Sequence, residues 1–303
     1  MNSNRQKRQQ ITKSLGLWLI AALFTTISAA QPTVIKLNKN NEGNYWVNVT
    51  INQQPAQFIL DTGATGSVID SSMLSTFALP PKKEAQSGTG FGDETSSQIQ
   101  TDTLTLSQFS ISGVTTSVKT IYTHPLAHLP EGISGLIGQD VLVDLNAKLE
   151  VANALLIIPD NNEIDEFENI QVPIQTSPMG FHYISATLDG SAISLILDTG
   201  APQMVLDGQT LKEMGFKSTP HPTATTIDAN GNEMPLHLLP PATLSVGGVT
   251  MMADVMLTDM SGLMNALNQS NEPKIVGVLG NTEMTKLGIT IDFKNQKLIL
   301  KSD

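Results

Sequence analysis

Residues 43–70 read GNYWVNVTINQQPAQFILDTGATGSVID, and residues 180–207 read GFHYISATLDGSAISLILDTGAPQMVLD. The two stretches align without a gap at an offset of 137, and 10 of the 28 positions are identical. The identities are Gly43/Gly180, Thr50/Thr187, Ile59/Ile196, Leu60/Leu197, Asp61/Asp198, Thr62/Thr199, Gly63/Gly200, Ala64/Ala201, Val68/Val205 and Asp70/Asp207. Unrelated strand-rich segments share scattered residues, but not a run of Asp-Thr-Gly-Ala behind matching apolar strands. Such self-similarity marks one structural unit used twice.

A second matched pair lies downstream at an offset of 142: GLIGQDVL, residues 135–142, against GVLGNTEM, residues 277–284. Each is followed by a strand-like tail, LEVANALLII at 149–158 and IDFKNQKLIL at 291–300. The parts therefore come in the same order in both halves. Between the halves, PDNNEIDEFEN at 159–169 is polar, acidic and poor in apolar residues, as an exposed linker is. The expected organisation is two homologous lobes, 31–160 and 170–303, joined by a linker at 161–169.

Both lobes are expected to be all-β. Trp46–Ile51 and Ala56–Leu60 carry strand-forming residues around a short polar turn. In the second half that turn is Asp189-Gly190, a strong hairpin signal. Brief helices are expected only around 138–145, 259–267 and 281–287.

Composition narrows the function. Seventeen Lys and Arg against 28 Asp and Glu give a net charge of −11. The first 13 residues hold Arg5, Lys7, Arg8 and Lys13; without them 13 cations face 28 acids, a balance of −15. Such a surface repels phosphate backbones, so nucleic acid is excluded as a partner. Zero Cys excludes disulfides, thiolate metal sites and cysteine nucleophiles.

The N-terminus reads as an address. Behind the basic segment, LGLWLIAALF at 15–24 is apolar, and Ser28-Ala29-Ala30 supplies the small residues of a cleavage site. Residues 1–30 are read as a secretory signal peptide cut after Ala30, which implies export, to a periplasm in the first instance and otherwise to the medium. The apolar stretch falls short of the roughly 20 residues that span a bilayer, and no second candidate span is present. The mature chain is expected to have no membrane span.

A lone Asp-Thr-Gly usually marks only a turn. Two copies, each behind Ile-Leu and each followed by an apolar-apolar-Gly element, resemble the retropepsin-like aspartic peptidases in a fused two-lobe form. The resemblance runs over essentially the whole mature chain. It implies two β-barrel lobes related by a pseudo-twofold axis, with the active site between them. Metal-free hydrolysis of a peptide needs a base to activate water and an acid to protonate the carbonyl oxygen, and two carboxyls sharing one proton provide both.

By the resemblance, Asp61 and Asp198 form the catalytic pair. Thr62 and Thr199 exchange hydrogen bonds across the axis, and Gly63 and Gly200 let the backbone come close to the carboxyls. Leu136-Ile137-Gly138 and Val278-Leu279-Gly280 pack beside these loops as supports. The flaps are expected at Ser87–Asp93, with Gly90, Phe91 and Gly92 at the tip, and at Thr226–Glu233, with Ala229, Asn230 and Gly231 in its turn. The implied substrate is an extended peptide or protein segment, with no cofactor and with a monomer sufficient to build the site.

Other features have plainer readings. His124 and His128 are separated by Pro125, and His182, His221 and His237 are isolated, which does not suit a metal site. Met251, Met252, Met256, Met260 and Met264 crowd one stretch. Met260, Leu263, Met264 and Leu267 fit one helical face of a core, and an adaptable Met surface beside the cleft is the other use of the cluster. Asp70 and Asp207 are expected to end a strand or to cap the next element. Two rival functions are a non-cleaving peptide- or protein-binding module of the same fold and a glycosidase pair. The latter needs an aromatic-rich cleft in a chain that is only 5% aromatic.

Ala64 and Ala201 stand where pepsin-like enzymes carry Ser or Thr. A hydroxyl donating to an ionised carboxylate lowers its pKa, so its absence leaves the pair less acidic. A pH–rate profile should therefore peak in the mildly acidic to near-neutral range, and a maximum at about pH 2–3 would contradict this.

Overall fold

The computed structural model describes residues 31–79, 85–90, 92–93, 97–126, 129–159, 169–227, 231–269 and 274–301. The segment read as a signal peptide lies outside the described residues, as do Phe91, Ala229, Asn230 and most of the expected linker. Residues 31–303 form one compact unit.

The repeat in the sequence is a repeat in the fold. Tyr45–Ile51 buries Tyr45, Val47, Val49 and Ile51 and turns the residues between them outward, the period of two expected of a strand with one face in a core. It turns back through Asn52 and Gln53, both at positive φ (47° and 70°), into Gln54–Leu60. In the second lobe His182–Leu188 turns through Asp189 and Gly190, at φ 46° and 81°, into Ser191–Leu197. Positive φ at both central residues gives the tight hairpin whose twist matches that of the strands. The same corner is tied down in both lobes by an acceptor in the turn. Asn52 Oδ1 receives the Ser107 and Gln108 N–H groups, and Asp189 Oδ1 receives the Thr243 N–H.

Each second hairpin strand ends in the Asp-Thr-Gly loop. In the first lobe Gly135–Ile137 lies parallel to Gln54–Leu60 and antiparallel to Val68–Asp70. In the second, Ile275–Leu279 lies parallel to Ser191–Leu197 and antiparallel to Val205–Asp207. The apolar-apolar-Gly segments thus sit in mid-sheet, flanked by the strands that enter and leave the loop, which is the packing role expected of them. Each lobe is a 10-stranded sheet, and the strand order in one is matched strand for strand in the other.

A third, six-stranded sheet joins the lobes. Its order is Thr33–Lys36, Leu155–Ile158, Lys148–Glu150, Thr290–Asp292, Lys297–Leu300 and Ile170–Pro173, so three strands of each lobe meet at the antiparallel pair Lys148–Glu150 and Thr290–Asp292. Thr33–Lys36 is an edge strand here. One continuous apolar core runs from this sheet into both lobes.

Helices are few and short: α1, Gln139–Asp144; α2, Gly208–Glu213; α3, Ser261–Leu267; and α4, Asn281–Lys286. Three lie where expected. The unexpected one, α2, begins on Asp207, whose carboxylate accepts from the Thr210 N–H and hydroxyl. Asp70 likewise accepts from the Ser72 N–H at the start of a 3₁₀ turn. Both repeated aspartates are therefore caps. Leu263, Met264 and Leu267 of α3, with Met260 just before it, are buried in a second apolar cluster with Phe181, Ile196 and Val278. Met251 is only partly buried and Met252 is exposed, so the methionines do not form a single surface.

Because one core serves both lobes, they should unfold together. In a Trp18→Phe background, Trp46 fluorescence reports the first lobe and far-ultraviolet circular dichroism reports both. Leu149→Ala, in the shared sheet, should lower stability by about 2–5 kcal/mol with the two signals still coincident; separated transitions would show lobes that unfold independently.

Candidate active site

The two Asp-Thr-Gly loops meet at the junction of the lobes and are locked by their threonines. Thr62 Oγ1 donates to the Leu197 carbonyl at 2.8 Å and accepts from the Thr199 N–H at 3.0 Å. Thr199 Oγ1 does the same in reverse, donating to Leu60 O at 2.8 Å and accepting from the Thr62 N–H at 3.0 Å. Both threonines are buried, so the four bonds form away from competing water.

Asp61 and Asp198 are brought together so closely that their carboxyls hydrogen-bond to each other. Asp61 Oδ1 accepts from the Gly63 N–H at 2.9 Å. Asp198 Oδ1 accepts from the Gly200 N–H at 2.8 Å and the Ala201 N–H at 3.1 Å. The glycines are required by space. A Cβ on Gly63 would lie 2.6 Å from Asp198 Cγ, and one on Gly200 would lie 2.7 Å from Asp61 Oδ1.

Burial pushes the Asp61 carboxyl above the ordinary range, while the bond from Asp198 and the loop amides pull it back. Burial raises Asp198 well above that range, and the Asp61 charge beside it adds to the rise. Two carboxyls this close cannot both ionise cheaply, because the charge of one disfavours that of the other. Ala64 and Ala201 bring no hydroxyl to the pair.

A cavity of about 570 Å³ opens above the pair. Its first-lobe wall includes Val68, Ile99, Tyr122, Leu126 and Leu136, and its second-lobe wall includes Met179, Phe181, Ile196, Leu263 and Val278. Ala85–Thr89 pairs with Gln98–Thr105 as the expected hairpin, and Gln86, Ser87, Gly88, Thr89 and Gly90 line the cavity.

The flap expectations divide. Gly90 faces the cavity, whereas Gly92 is not in its wall and its carbonyl accepts from the Gly262 N–H on α3. In the second lobe Thr219–Ile227 and Glu233–Leu238 form the hairpin. Among its described residues only Ile227 lines the cavity, and Gly231, at φ 86°, belongs to the turn. The two hairpins are topological equivalents.

Sequence reasoning missed most of the wall, because residues such as Ile99 and Tyr122 reach the site from strands far along the chain from the Asp-Thr-Gly loops. It also passed over the amides Gln139 and Asn281, which come directly after the glycine of each apolar-apolar-Gly segment. An amide at the same place in both copies was a usable signal. His124 lines the cavity, with its Nδ1 3.0 Å from Gln100 O. Among the described residues no group of three or more His, Asp or Glu side chains could hold a metal ion.

A family model described as aspartyl protease matches residues 47–141 and 184–282. The aspartic proteinase from Irpex lacteus has a similar fold, with a TM-score of 0.52 and 12% identity over 90% of this chain and 97% of that one. A retropepsin-like aspartic protease from Rickettsia conorii matches at TM-score 0.32 and 20% identity, over 42% of this chain and 91% of its own. Basic 7S globulin from soybean matches at 0.49 and 12%, over 90% and 95%. A search of curated protein sequences finds no match.

The raised carboxyls carry a consequence for stability. An acid whose pKa is higher in the folded state stabilises the fold below its unfolded pKa, and that contribution is lost as pH rises through the folded value. In Asp198→Asn the amide oxygen still accepts from Gly200 and Ala201 and no like charge remains. The variant should melt a few degrees higher than the wild type near pH 7, with the gap closing as the solution is acidified. An equal or lower midpoint at pH 7 would show that the pair is not strained by its charge.

Proposed function

Because the chain belongs to the aspartyl protease family, we propose that it is an aspartic endopeptidase, in which Asp61 and Asp198 together activate one water molecule. The observation that carries this reading is the hydrogen-bonded carboxyl pair in the wall of a cavity of about 570 Å³ lined by both lobes. In the proposed reaction the ionised carboxyl takes a proton from water while the protonated one donates to the carbonyl oxygen of the scissile bond. Water oxygen bonds to the carbonyl carbon and a tetrahedral gem-diol forms. Its collapse breaks the C–N bond as the dyad proton passes to the leaving nitrogen while a gem-diol hydroxyl returns its proton to the other carboxylate, so the pair again holds one proton. Neither aspartate is assigned to one role, because the proton belongs to the pair.

Apolar walls on both sides of the dyad favour peptides with apolar side chains flanking the scissile bond. The hairpin Ala85–Thr89 offers an edge along which roughly six to eight substrate residues lie extended. The same reading includes the remaining expectations: a signal peptide at 1–30, lobes at 31–160 and 170–303 with a linker at 161–169, export to a periplasm, and a monomer that needs no second copy and no cofactor. No helix among the described residues is long and apolar enough to cross a membrane.

The test is digestion of a mixed peptide library between about pH 3 and pH 8 by the purified protein, with and without a pepstatin-type inhibitor. Asp61→Asn and Asp198→Asn should each lower kcat/KM by at least about 10³-fold while the protein stays folded. A folded wild type that cuts nothing across that range would overturn the peptidase reading in favour of a non-cleaving module.

A further inference from the structure

The bonds that reach the two carboxyls are themselves backed by side chains that lie outside the cavity wall. Gln139 Nε2 donates to the Thr62 carbonyl at 2.6 Å, and Asn281 Nδ2 donates to the Thr199 carbonyl at 2.7 Å. Each of those carbonyls belongs to the same peptide group as a loop N–H. The Thr62 carbonyl shares its peptide with the Gly63 N–H that donates to Asp61, and the Thr199 carbonyl with the Gly200 N–H that donates to Asp198. A third amide completes the pattern. Asn44 Nδ2, from the first lobe, donates at 2.6 Å to the Gly200 carbonyl, whose peptide partner is the Ala201 N–H on Asp198 Oδ1.

A peptide group that accepts a hydrogen bond at its oxygen becomes a stronger donor at its nitrogen, because the bonds polarise one another. Gln139, Asn281 and Asn44 are all buried, where this coupling is least screened. We infer that these three amides are positioning residues for the dyad, strengthening through the intervening peptide groups the N–H donors that hold its negative charge.

Mere attachment of the loops does not account for them. The main chain already performs it: the Gln139 N–H donates to Ala64 O and the Asn281 N–H to Ala201 O, both at 2.9 Å. The side chains add a bond only at the carbonyls that back the carboxyl donors and, for Asn281, one to Gly43 O at 3.2 Å. Asn281 Oδ1 is buried without a partner among the described residues, so its amide is present for its donors. Among the described residues few other groups compete for the dyad's titration. The charge acting on Asp198 is that of Asp61, and the other titratable side chains lining the cavity among the described residues are Tyr122 and His124, both from Thr120–His124.

The consequence for activity rests on the peptidase reading, but the effect on the dyad can be measured without turnover. The experiment tracks the aspartate side-chain ¹³C resonances against pH in the wild type, Gln139→Met and Asn281→Leu, which keep side-chain volume and lose the donors. The pH at which the dyad takes up its proton should rise by on the order of half a unit in each variant. The acidic limb of kcat should move with it while KM changes less than about twofold. Asn44→Ala, which leaves the loop–main-chain bonds intact, gives the same readout at Asp198 if a core variant fails to fold.

A folded variant whose dyad titrates as in the wild type overturns the inference, even if the wild type cleaves peptides. A shifted titration in a protein that cleaves nothing upholds it and removes only the peptidase reading.

Discussion

The crossed pair of threonines is the constraint on which everything else rests. Each hydroxyl reaches across the lobe junction to a carbonyl of the other lobe and receives that lobe's threonine N–H, so neither loop can shift without breaking bonds in both. The bonds are buried, and leaving their groups unpaired would cost more than the bonds themselves contribute. They hold two carboxyls, each raised by burial, at a separation that neither would adopt alone. The shared six-stranded sheet supports the same junction from outside, through the pairing of Lys148–Glu150 with Thr290–Asp292.

The two copies solve the same structural problem with different residues. In the first lobe the strand leaving the loop is tied to α1 by Ser67, whose hydroxyl donates to Asp140 and accepts from the Gly138 N–H. In the second, Met204 occupies the place of Ser67, and its backbone N–H donates to Glu283 on α4. A side-chain bond has been exchanged for a backbone bond while the strand arrangement is unchanged. The cavity is more asymmetric. Among the described residues the first-lobe hairpin contributes seven residues to its wall, whereas the second contributes Ile227. Symmetry is kept where the loops must meet and relaxed where a ligand would lie.

Much of this was legible before any coordinates. The repeat at 43–70 and 180–207 carries the strand period, the tight hairpin and the Asp-Thr-Gly-Ala loop within one continuous stretch, so local pattern reports them faithfully. Asp70 and Asp207 were readable as caps because capping is decided within two or three residues. By contrast α2 was missed: six residues opening on glycine give too short a pattern for helical periodicity to register. Which of the described flap residues face the cavity was equally hidden, because Gly-rich turns look alike whether or not they face one.

The sequence by itself determined the duplicated all-β architecture, the two aspartates and the threonines and glycines beside them, because each depends on residues adjacent in the chain or on comparing one half with the other. Only the tertiary structure decided that Gln139, Asn281 and Asn44 converge on the loop carbonyls, that Tyr122 and Phe181 face one another's lobes across a cavity, and that Gly92 turns to α3. Those relations join positions separated by scores of residues, and local sequence carries no record of which distant side chain will fill a given hydrogen-bond direction. That is settled by how the sheets twist and pack, which brings the two lobes' loops to one place.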